Sequence, residues 1–434
     1  MECVRGYRKN VRRSIPRVSM VMLLLGLMSG SATAWTDDVV LRWNQIAAQT
    51  ATATNPFNQA RIGAIVQLAV FEAVNAVTKE YEPYLNPPTV APPNTSVDAA
   101  AITAAHRVLT TYFTDPSVVA ALNAARDSDL ALISNGPAKT NGTAVGTGAA
   151  NAMIALRAAD GSSPLTTTIP TSTLPGDYRL TTGCAAGLFY NWQNIVPFGI
   201  AKAADYLLDQ PPSLPSNQYA KDYLEVKTVG AATSVARPLD REEVVRLYAI
   251  SSPSFVLTMA TRQIAVAEGT GLSENARALA LVQMGISDAL VASFMNKYHY
   301  NVWRPETGIR NGAADGNGKT DGDPGFTTFI PTPCFPSYPS NHASGTNGGL
   351  EVMRRLFGAA GHDITITNTV PALGSLPATV ITKHYTQLNA IAADVDDARV
   401  YGGIHWRSDQ DAGNVLGRAV ATEVVKTHLR PVHP

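Results

Sequence analysis

Three short segments in the last third of the chain carry residue types that together could bind and transform an oxyanion. The first holds Lys297, which continues the apolar face of a helix predicted near 273–297, and Arg304, which follows seven residues later. A buried cation is costly unless a partner neutralises its charge. Two cations at this spacing therefore indicate a shared buried anion, although Lys297 alone would more simply extend its ammonium group to solvent.

The second segment joins a proline-rich turn to the start of a helix. It reads Phe335-Pro336-Ser337-Tyr338-Pro339-Ser340-Asn341-His342, and small residues follow it. Ser340 is a natural N-cap, so free backbone N–H groups lie beside a hydroxyl and the imidazole of His342. Such a helix start can hold an anion next to an acid–base group. Taken alone, a capping serine beside a surface histidine is the more common arrangement.

The third segment contains Arg399, His405 and Asp409. Asp409 follows His405 by about one helical turn, so its carboxylate can orient the imidazole through Nδ1 and leave Nε2 free. An isolated His–Asp pair is more often structural than catalytic. Together, however, the three segments supply positive charge, preorganised donors, a nitrogen nucleophile or ligand and a separate acid–base group. A tetrahedral oxyanion requires these groups.

The order and spacing of these residues resemble the motifs of the vanadium-dependent haloperoxidase and type 2 phosphatidic acid phosphatase (PAP2) superfamily. The matching positions are Lys297-x6-Arg304-Pro305, Pro339-Ser340-Asn341-His342 and Ala398-Arg399-x5-His405-x3-Asp409. The wider sequence looks most like the fungal chloroperoxidase type and its bacterial homologues. Two positions depart from the pattern. Asn341 replaces a glycine and adds a side chain near the anion, and Ala398 replaces a serine and removes a hydroxyl.

For the anion itself, the resemblance implies a vanadate cofactor. The positive charge around its equatorial oxygens would come from Lys297, Arg304 and Arg399. Further hydrogen bonds would come from the Ser340 hydroxyl and the backbone N–H group of Asn341.

The resemblance also implies roles for the two histidines. His405 would bind the vanadium axially through Nε2, with Asp409 orienting the ring from behind. His342 would be the acid–base group that manages the protons of hydrogen peroxide. Phe335 occupies a position that is Phe in chloroperoxidases and often His in bromoperoxidases, although plain core packing explains it equally well.

The activity implied by the resemblance is that of an exported, vanadate-dependent haloperoxidase-like enzyme, which oxidises halide with hydrogen peroxide. The alternative is a metal-free acid phosphatase of the PAP2 superfamily, which hydrolyses a phosphomonoester through a phosphohistidine at His405. Because vanadate mimics phosphate, no ligand residue separates the two. The length of 434 residues favours the first, since phosphatases of the superfamily are generally shorter and the lipid-directed ones carry several membrane spans. A non-catalytic oxyanion-binding bundle is disfavoured because both His342 and His405 are present.

Apolar residues at helical spacing dominate the rest of the chain and predict an all-α protein. With the resemblance, they predict two helical bundles of the PAP2/vanadium chloroperoxidase type, with long loops and little or no strand. The N-terminal bundle is assigned to residues 35–235, with a long loop over 161–215, and the catalytic bundle to residues 236–434. The best strand candidate is Ile364–Thr367. Helices are predicted near 60–78, 97–113, 117–134, 143–160, 217–230, 240–250, 254–268, 273–297, 340–357, 384–402 and 409–429.

The N-terminus has the composition of a secretory signal peptide. A basic block precedes the apolar run Val18–Met28, and Ala32-Thr33-Ala34 offers a cleavage site, so residues 1–34 are assigned to the signal. The apolar run is too short to span a bilayer, although an N-terminal membrane anchor is the alternative. Cleavage would leave 28 basic and 33 acidic residues, a net charge of −5.

After cleavage, the chain is predicted to be secreted or periplasmic and to act on small molecules, either peroxide and halide or a phosphomonoester. Its weak charge gives no reason to predict a nucleic-acid partner. No later segment is predicted to span a membrane, and the sequence carries no signal for the oligomeric state. Cys184 and Cys334 remain, either as one disulfide or as two buried thiols.

Overall fold

The computed structural model describes residues 38–166 and 168–432. Its first five helices are α1 (Val39–Ala51), α2 (Pro56–Thr78), α3 (Val97–Tyr112), α4 (Pro116–Ala131) and α5 (Pro137–Leu156). They are followed by α6 (Asn217–Val229), α7 (Leu239–Ile250), α8 (Pro253–Glu268), α9 (Leu272–Tyr300), α10 (Pro305–Arg310) and α11 (Asn341–Phe357). The antiparallel strands β1 (Ala360–Val370) and β2 (Thr379–Gln387) precede α12 (Leu388–Tyr401) and α13 (Arg407–Thr427). Short 3₁₀ turns cover Tyr190–Asn194, Ala203–Tyr206 and Gly312–Ala314. The predominance of helix confirms the predicted fold class.

Helix α9 is the central element of the fold. It spans 29 residues, most of them buried, and it packs against α2, α8, α11 and α13. Gly285 of α9 faces Gly348 of α11, and a Cβ on either residue would collide with the carbonyl oxygen of the other. The two helices therefore approach closely enough for Ser293 of α9 to hydrogen-bond Asn341 at the start of α11. This contact brings the C-terminal end of α9, with Lys297, to the start of α11.

Helices α2 and α9 are long and apolar enough to cross a membrane, as judged by length and composition alone, and α7 with α8 forms a bent pair that also qualifies. The prediction that no segment after the N-terminus is long and apolar enough to cross a membrane was therefore wrong. In the most apolar part of α2, 89% of the residues are buried inside the protein, and in α9 the share is 94%. Other parts of the protein cover these helices, and a helix at the centre of a bundle needs apolar residues on every face.

The two predicted bundles are in direct contact. Helix α2 from the first packs against α8 and α9 from the second, and the chain from Asp38 onward forms one unit. The predicted boundary between residues 235 and 236 stays a prediction. The predicted signal peptide lies outside the described residues, so export also stays a prediction.

The sheet differs from the sequence prediction at one strand. Ile364–Thr367 lies within β1, as predicted. Residues 384–387, predicted as the start of a helix, belong to β2 instead, and the helix begins at Leu388. Strand β2 is hard to recognise because its only fully buried residues are Ile381 and Tyr385. Its pairing with β1, rather than a local pattern, determines its conformation.

Helix α5 begins at Pro137, whereas the sequence predicted a start near 143. Its first turns are rich in Gly and Thr, which are weak helix formers. A Cβ at Gly142 would collide with the carbonyl oxygen of Ser96, and one at Gly146 with that of Ala100. Close packing against α3 thus outweighs the poor helix propensity. The other predicted helices agree with the observed ones to within a few residues.

The long loop over residues 161–215 is tied to the rest of the protein at two places. The buried carboxylate of Asp288 in α9 accepts N–H bonds of 2.7, 2.6 and 3.0 Å from residues 198–200. Cys184 forms a disulfide with Cys334, whose Cα atom is 5.6 Å away, so the alternative of two free thiols is wrong. The disulfide attaches the loop to the segment that leads into α11.

Replacing both Cys184 and Cys334 by alanine should lower the free energy of unfolding by about 4 kcal/mol. The bond joins residues separated by 150 positions, so it strongly restricts the unfolded chain. Urea denaturation of the wild type and the double variant measures the difference. A reductant should destabilise only the wild type, and equal denaturation midpoints for the two proteins would contradict the prediction.

Candidate oxyanion site

The predicted site residues come from four chain segments that meet at the start of α11. Lys297 lies in the last turn of α9, which ends where Asn301 adopts a left-handed conformation with φ of 49°. Arg304 caps the start of α10. Arg399 lies in the last turn of α12, and His405 precedes α13 by two residues. Each of these residues lies at or next to a helix end, and the turn there directs its side chain toward the start of α11.

The Ser340 cap joins α11 to α13. Its hydroxyl accepts the N–H group of Ala343 at 3.3 Å, and its own N–H group donates to the carbonyl oxygen of Asp409 at 2.9 Å. Asn341, the first helical residue, does not have a positive φ, so nothing here requires the glycine of the family pattern. Its Oδ1 accepts a hydrogen bond of 2.6 Å from the Ser293 hydroxyl.

Lys297 is fully buried, and its ammonium group donates hydrogen bonds to backbone carbonyl groups. Its Nζ donates to the carbonyl oxygens of Pro336, Ser337 and Pro339 at 2.8, 2.6 and 2.6 Å. An ammonium group has three protons, so all of them are used. Burial, together with the nearby charges of Arg304 and Arg399, lowers the pKa of Lys297 well below its usual value. Lys297 thus fixes the turn before α11, and direct contact with an anion would require it to leave one carbonyl.

Arg304 and Arg399 are also buried, and each keeps one donor without a partner among the described residues. Arg304 donates through Nε to the carbonyl of Phe335 at 2.8 Å, and through Nη1 to the carbonyl of Ile404 at 2.9 Å and to Nε2 of His405 at 2.8 Å. Arg399 donates through Nη1 to the carbonyl of Tyr248 at 3.3 Å. Burial lowers the pKa of Arg304 to about 10 and that of Arg399 to about 9.

Three buried nitrogen donors around the site lack a partner within the described part of the chain. They are Nη2 of Arg304, Nε of Arg399 and Nδ2 of Asn341. A buried donor without a partner carries a desolvation cost that an anion would relieve. Together with the cations, these donors fit a tetrahedral oxyanion such as vanadate or phosphate.

The imidazole of His405 is oriented from behind by Asp409. The two are joined by a bond of 2.8 Å between Nδ1 and Oδ2, which places the proton on Nδ1 and leaves Nε2 as an acceptor. Burial lowers the pKa of His405 well below its usual value, and the charges of Arg304 and Lys297 act in the same direction. Burial raises the pKa of Asp409 to about 6, although hydrogen bonding by Ser337 opposes the shift. The imidazole is therefore neutral, with a lone pair on Nε2.

Sequence reasoning did not assign a role to Ser337. Its buried hydroxyl donates to Oδ2 of Asp409 at 2.6 Å, and the backbone N–H group of Trp406 donates to the same oxygen at 3.1 Å. These two hydrogen bonds fix the position of the Asp409 carboxylate, which in turn orients the imidazole of His405. The position of Ser337 in the proline-bounded turn was the one sequence feature that could have drawn attention to it. Its contact with Asp409 could not be predicted from local spacing, because the two residues are 72 positions apart.

His342 and His405 line one cavity of about 550 Å³, together with Asn341 and Arg399. Burial lowers the pKa of His342 well below its usual value, and the charges of Arg399, Arg304 and Lys297 act in the same direction. Phe335 lines the cavity as well, and Nζ of Lys297 and Cζ of Arg304 lie 5.4 and 5.0 Å from its ring centroid. The structure thus brings the predicted site residues of all three motifs together, although their roles stay predictions.

Comparison with known sequences gives matches to vanadium haloperoxidases. Residues 277–434 match the family model for the VCPO second helical-bundle domain. The vanadium chloroperoxidase of Curvularia inaequalis is 25% identical over an alignment that covers 49% of this chain and 44% of that protein. The chain therefore spans less than half the length of this curated relative.

Comparison with solved structures gives similar folds over most of the chain. A bacterial vanadium-dependent iodoperoxidase matches with a TM-score of 0.73 at 20% identity, covering 91% of this chain and 97% of that one. A holo-type bacterial vanadium-dependent chloroperoxidase matches with a TM-score of 0.68 at 15% identity, covering 88% and 95%. The family-model match over residues 277–434 confirms the predicted resemblance to the vanadium-dependent haloperoxidase and PAP2 superfamily, and the solved structures confirm the fold.

Asp409→Asn should weaken the binding of orthovanadate by about 10- to 100-fold, because the amide cannot hold the Nδ1 proton of His405 as a carboxylate does. Isothermal titration calorimetry measures the affinity. Asp411→Asn, an exposed position on the same helix, is the matched control and should bind as the wild type does. Equal affinities of the Asp409 variant and the control would contradict the role of Asp409.

His342 should make stability depend on pH. Its folded-state pKa lies below the ordinary value of 6.5, so below that pH the unfolded chain binds a proton that the folded protein does not. Wild type should therefore lose stability relative to His342→Gln, by up to about 1.4 kcal/mol per pH unit as the pH falls. Unfolding free energies measured between about pH 7.5 and 5 test this, and saturating phosphate should reduce the difference by raising the pKa. Parallel curves for the two proteins would contradict the prediction.

Proposed function

We propose that this relative of the vanadium-dependent haloperoxidases is itself a vanadate-dependent haloperoxidase, and that it acts after export. It oxidises halide by the net reaction X⁻ + H₂O₂ + H⁺ → HOX + H₂O. The observation that carries the proposal is that Arg304 donates to Nε2 of a neutral His405 and that Arg399 lines the same cavity as this histidine. Each arginine keeps a donor that has no partner among the described residues.

The oxyanion would be held by charge and by preorganised donors. Arg304 and Arg399 supply both, the backbone N–H group of Asn341 and the Ser340 hydroxyl add hydrogen bonds, and Lys297 contributes its charge. Vanadate, when bound through Nε2 of His405, supplies a Lewis acid that activates peroxide toward halide.

Arg304 has to change partner when the anion enters. In the structure its Nη1 donates to the lone pair of His405 Nε2, the atom that would bind the vanadium. The same guanidinium group can turn its N–H bonds to the anion oxygens, since its Nε stays on the carbonyl of Phe335. Arg304 thus provides a hydrogen-bond donor for Nε2 of His405, and this atom becomes available when Arg304 turns to the anion.

His342 is the group that exchanges protons with peroxide. It lies in the cavity wall, and the cations around it keep its pKa low while no anion is bound. A bound anion offsets those charges and raises the basicity of the ring. His342 can then take a proton from peroxide and return it to the oxygen that leaves as water.

The phosphatase alternative uses the same residues. A neutral imidazole whose Nδ1 is held by Asp409 also suits attack on phosphorus through Nε2, once Arg304 has turned from Nε2 to the anion. His342 would then have to donate a proton to the leaving oxygen, and its lowered pKa disfavours the protonated form before the anion is bound.

Paired assays of the purified protein separate the two functions. Peroxide-dependent halogenation of a dye should require added vanadate, whereas p-nitrophenyl phosphate should not be hydrolysed. His405→Ala should abolish halogenation and the binding of vanadate measured by calorimetry, because it removes the side chain that would bind the vanadium. His384→Ala, which removes an exposed histidine from β2, is the control and should do neither. Hydrolysis inhibited by vanadate would assign the phosphatase instead, and full activity in His405→Ala would overturn the site.

A further inference from the structure

The side chain of Asn341 has no counterpart in the motif that this segment resembles, which has glycine at the position. Asn341 is the first residue of α11, and its φ is not positive, so its backbone accepts a side chain without strain. The residue is only 4% exposed, and it lines one cavity with His342, Arg399 and His405. The chain therefore places an extra amide group beside the oxyanion site.

The two ends of this amide have different surroundings. Its Oδ1 atom accepts a hydrogen bond of 2.6 Å from the buried hydroxyl of Ser293 in α9. Its Nδ2 atom is buried as well, but it has no partner within the residues that the structure describes. Because the contact with Ser293 turns Oδ1 toward α9, the N–H bonds of Nδ2 are the part of the amide that remains for a ligand.

A neutral donor suits this place electrostatically. The charges of Arg399, Arg304 and Lys297 already lower the pKa of His342, after burial, and a fourth cation would add to their mutual repulsion. An amide offers a hydrogen bond to an anion without adding charge. Lys297 offers none, since backbone carbonyls accept all three protons of its ammonium group. The amide of Asn341 therefore supplies a donor that Lys297 does not.

We propose that Nδ2 of Asn341 donates a hydrogen bond to an oxygen of the bound anion, and that Ser293 positions the amide for this contact. The ligand class is a tetrahedral oxyanion whose oxygen accepts the hydrogen bond, such as phosphate or orthovanadate. The inference rests on the anion site of the proposed function, but not on halogenation. Asn341 is thus a further binding residue, and Ser293 is a positioning residue that acts through it.

Replacing Asn341 distinguishes a donor from an obstruction, because the two roles predict changes of opposite sign. If the side chain only occupies space beside the anion, Asn341→Gly and Asn341→Ala strengthen binding. If Nδ2 donates to the anion, both variants should weaken binding by about ten- to one-hundred-fold, the usual loss for a hydrogen bond to a charged group. Isothermal titration calorimetry with inorganic phosphate measures the affinity without vanadate, peroxide or halide. Equal or stronger binding by either folded variant would overturn the proposal.

Asn123→Ala is the control for the loss of an amide elsewhere in the fold. Asn123 lies in α4, away from the cavity, and its Oδ1 atom is 2.8 Å from Nε2 of His106. This variant should bind phosphate as the wild type does. Thermal unfolding followed by circular dichroism shows which variants are folded at the temperature of the titration. A loss of affinity in Asn123→Ala as large as that in Asn341→Ala would overturn the proposal, because it would not depend on the position of the amide.

A double-mutant cycle tests the role of Ser293. Ser293→Ala leaves the Asn341 amide free to rotate and should weaken phosphate binding by about two- to ten-fold. The same change added to Asn341→Ala should have almost no effect, because the amide that Ser293 orients is already absent. Ser287→Ala, which removes another buried hydroxyl about 9 Å earlier along α9, is the control and should leave the affinity unchanged. Equal effects of Ser293→Ala in both backgrounds would reject its positioning role.

The two proposals fail separately. Weaker phosphate binding in the Asn341 variants, without any halogenation by the wild type, would keep the role of Asn341 and reject the haloperoxidase. Vanadate-dependent halogenation by a wild type whose phosphate affinity does not change with these substitutions would reject the role of Asn341 alone. A wild type that binds neither phosphate nor orthovanadate would overturn both.

Discussion

The structure depends on three cations buried together with one nearby carboxylate. Lys297, Arg304 and Arg399 each lower the pKa of His405, and Asp409 is the carboxylate that counteracts them at Lys297 and Arg304. Burying like charges side by side is unfavourable in the absence of an anion. Backbone carbonyl groups reduce that cost, since three accept hydrogen bonds from Lys297 and two from Arg304. One donor on Arg304 and one on Arg399 nevertheless have no partner in the part of the chain that the structure describes. This excess of positive charge over partners is the feature that supports the proposed anion site.

The remainder of the fold keeps these groups in position. Helix α9 runs through the core and delivers Lys297 to the turn before α11, and the close contact between Gly285 and Gly348 sets the distance between the two helices. Helix α13 joins the same point through the backbone of Asp409, which accepts the N–H group of Ser340. The side chain and the carbonyl of Asp409 therefore couple the orientation of His405 to the helix start that would face the anion.

The site has two unlike sides, and their difference relates structure to the proposed chemistry. On one side lie cations, donors and two neutral imidazoles. On the other lies a wall of aromatic and aliphatic side chains, part of it brought by the loop over residues 161–215, which the disulfide to Cys334 holds in place. Low polarity on this side strengthens the electrostatic interactions on the other, because few water molecules can screen them.

The helices and the residue types of the site could be predicted from the amino-acid sequence, because both depend on the spacing of residues close together in the chain. Apolar periodicity placed most helices to within a few residues, and the spacing of residues between Lys297 and Asp409 predicted which side chains meet at the proposed anion site. The hydrogen-bond partners of those groups, in contrast, became known only from the three-dimensional fold. The carbonyls on Lys297, the hydroxyl of Ser337 on Asp409, the strand β2, the disulfide and the apolar cavity all arise from contacts between residues distant in the chain. Such contacts leave no periodic signal, since their energy comes from packing and pairing across the fold rather than from neighbours in sequence.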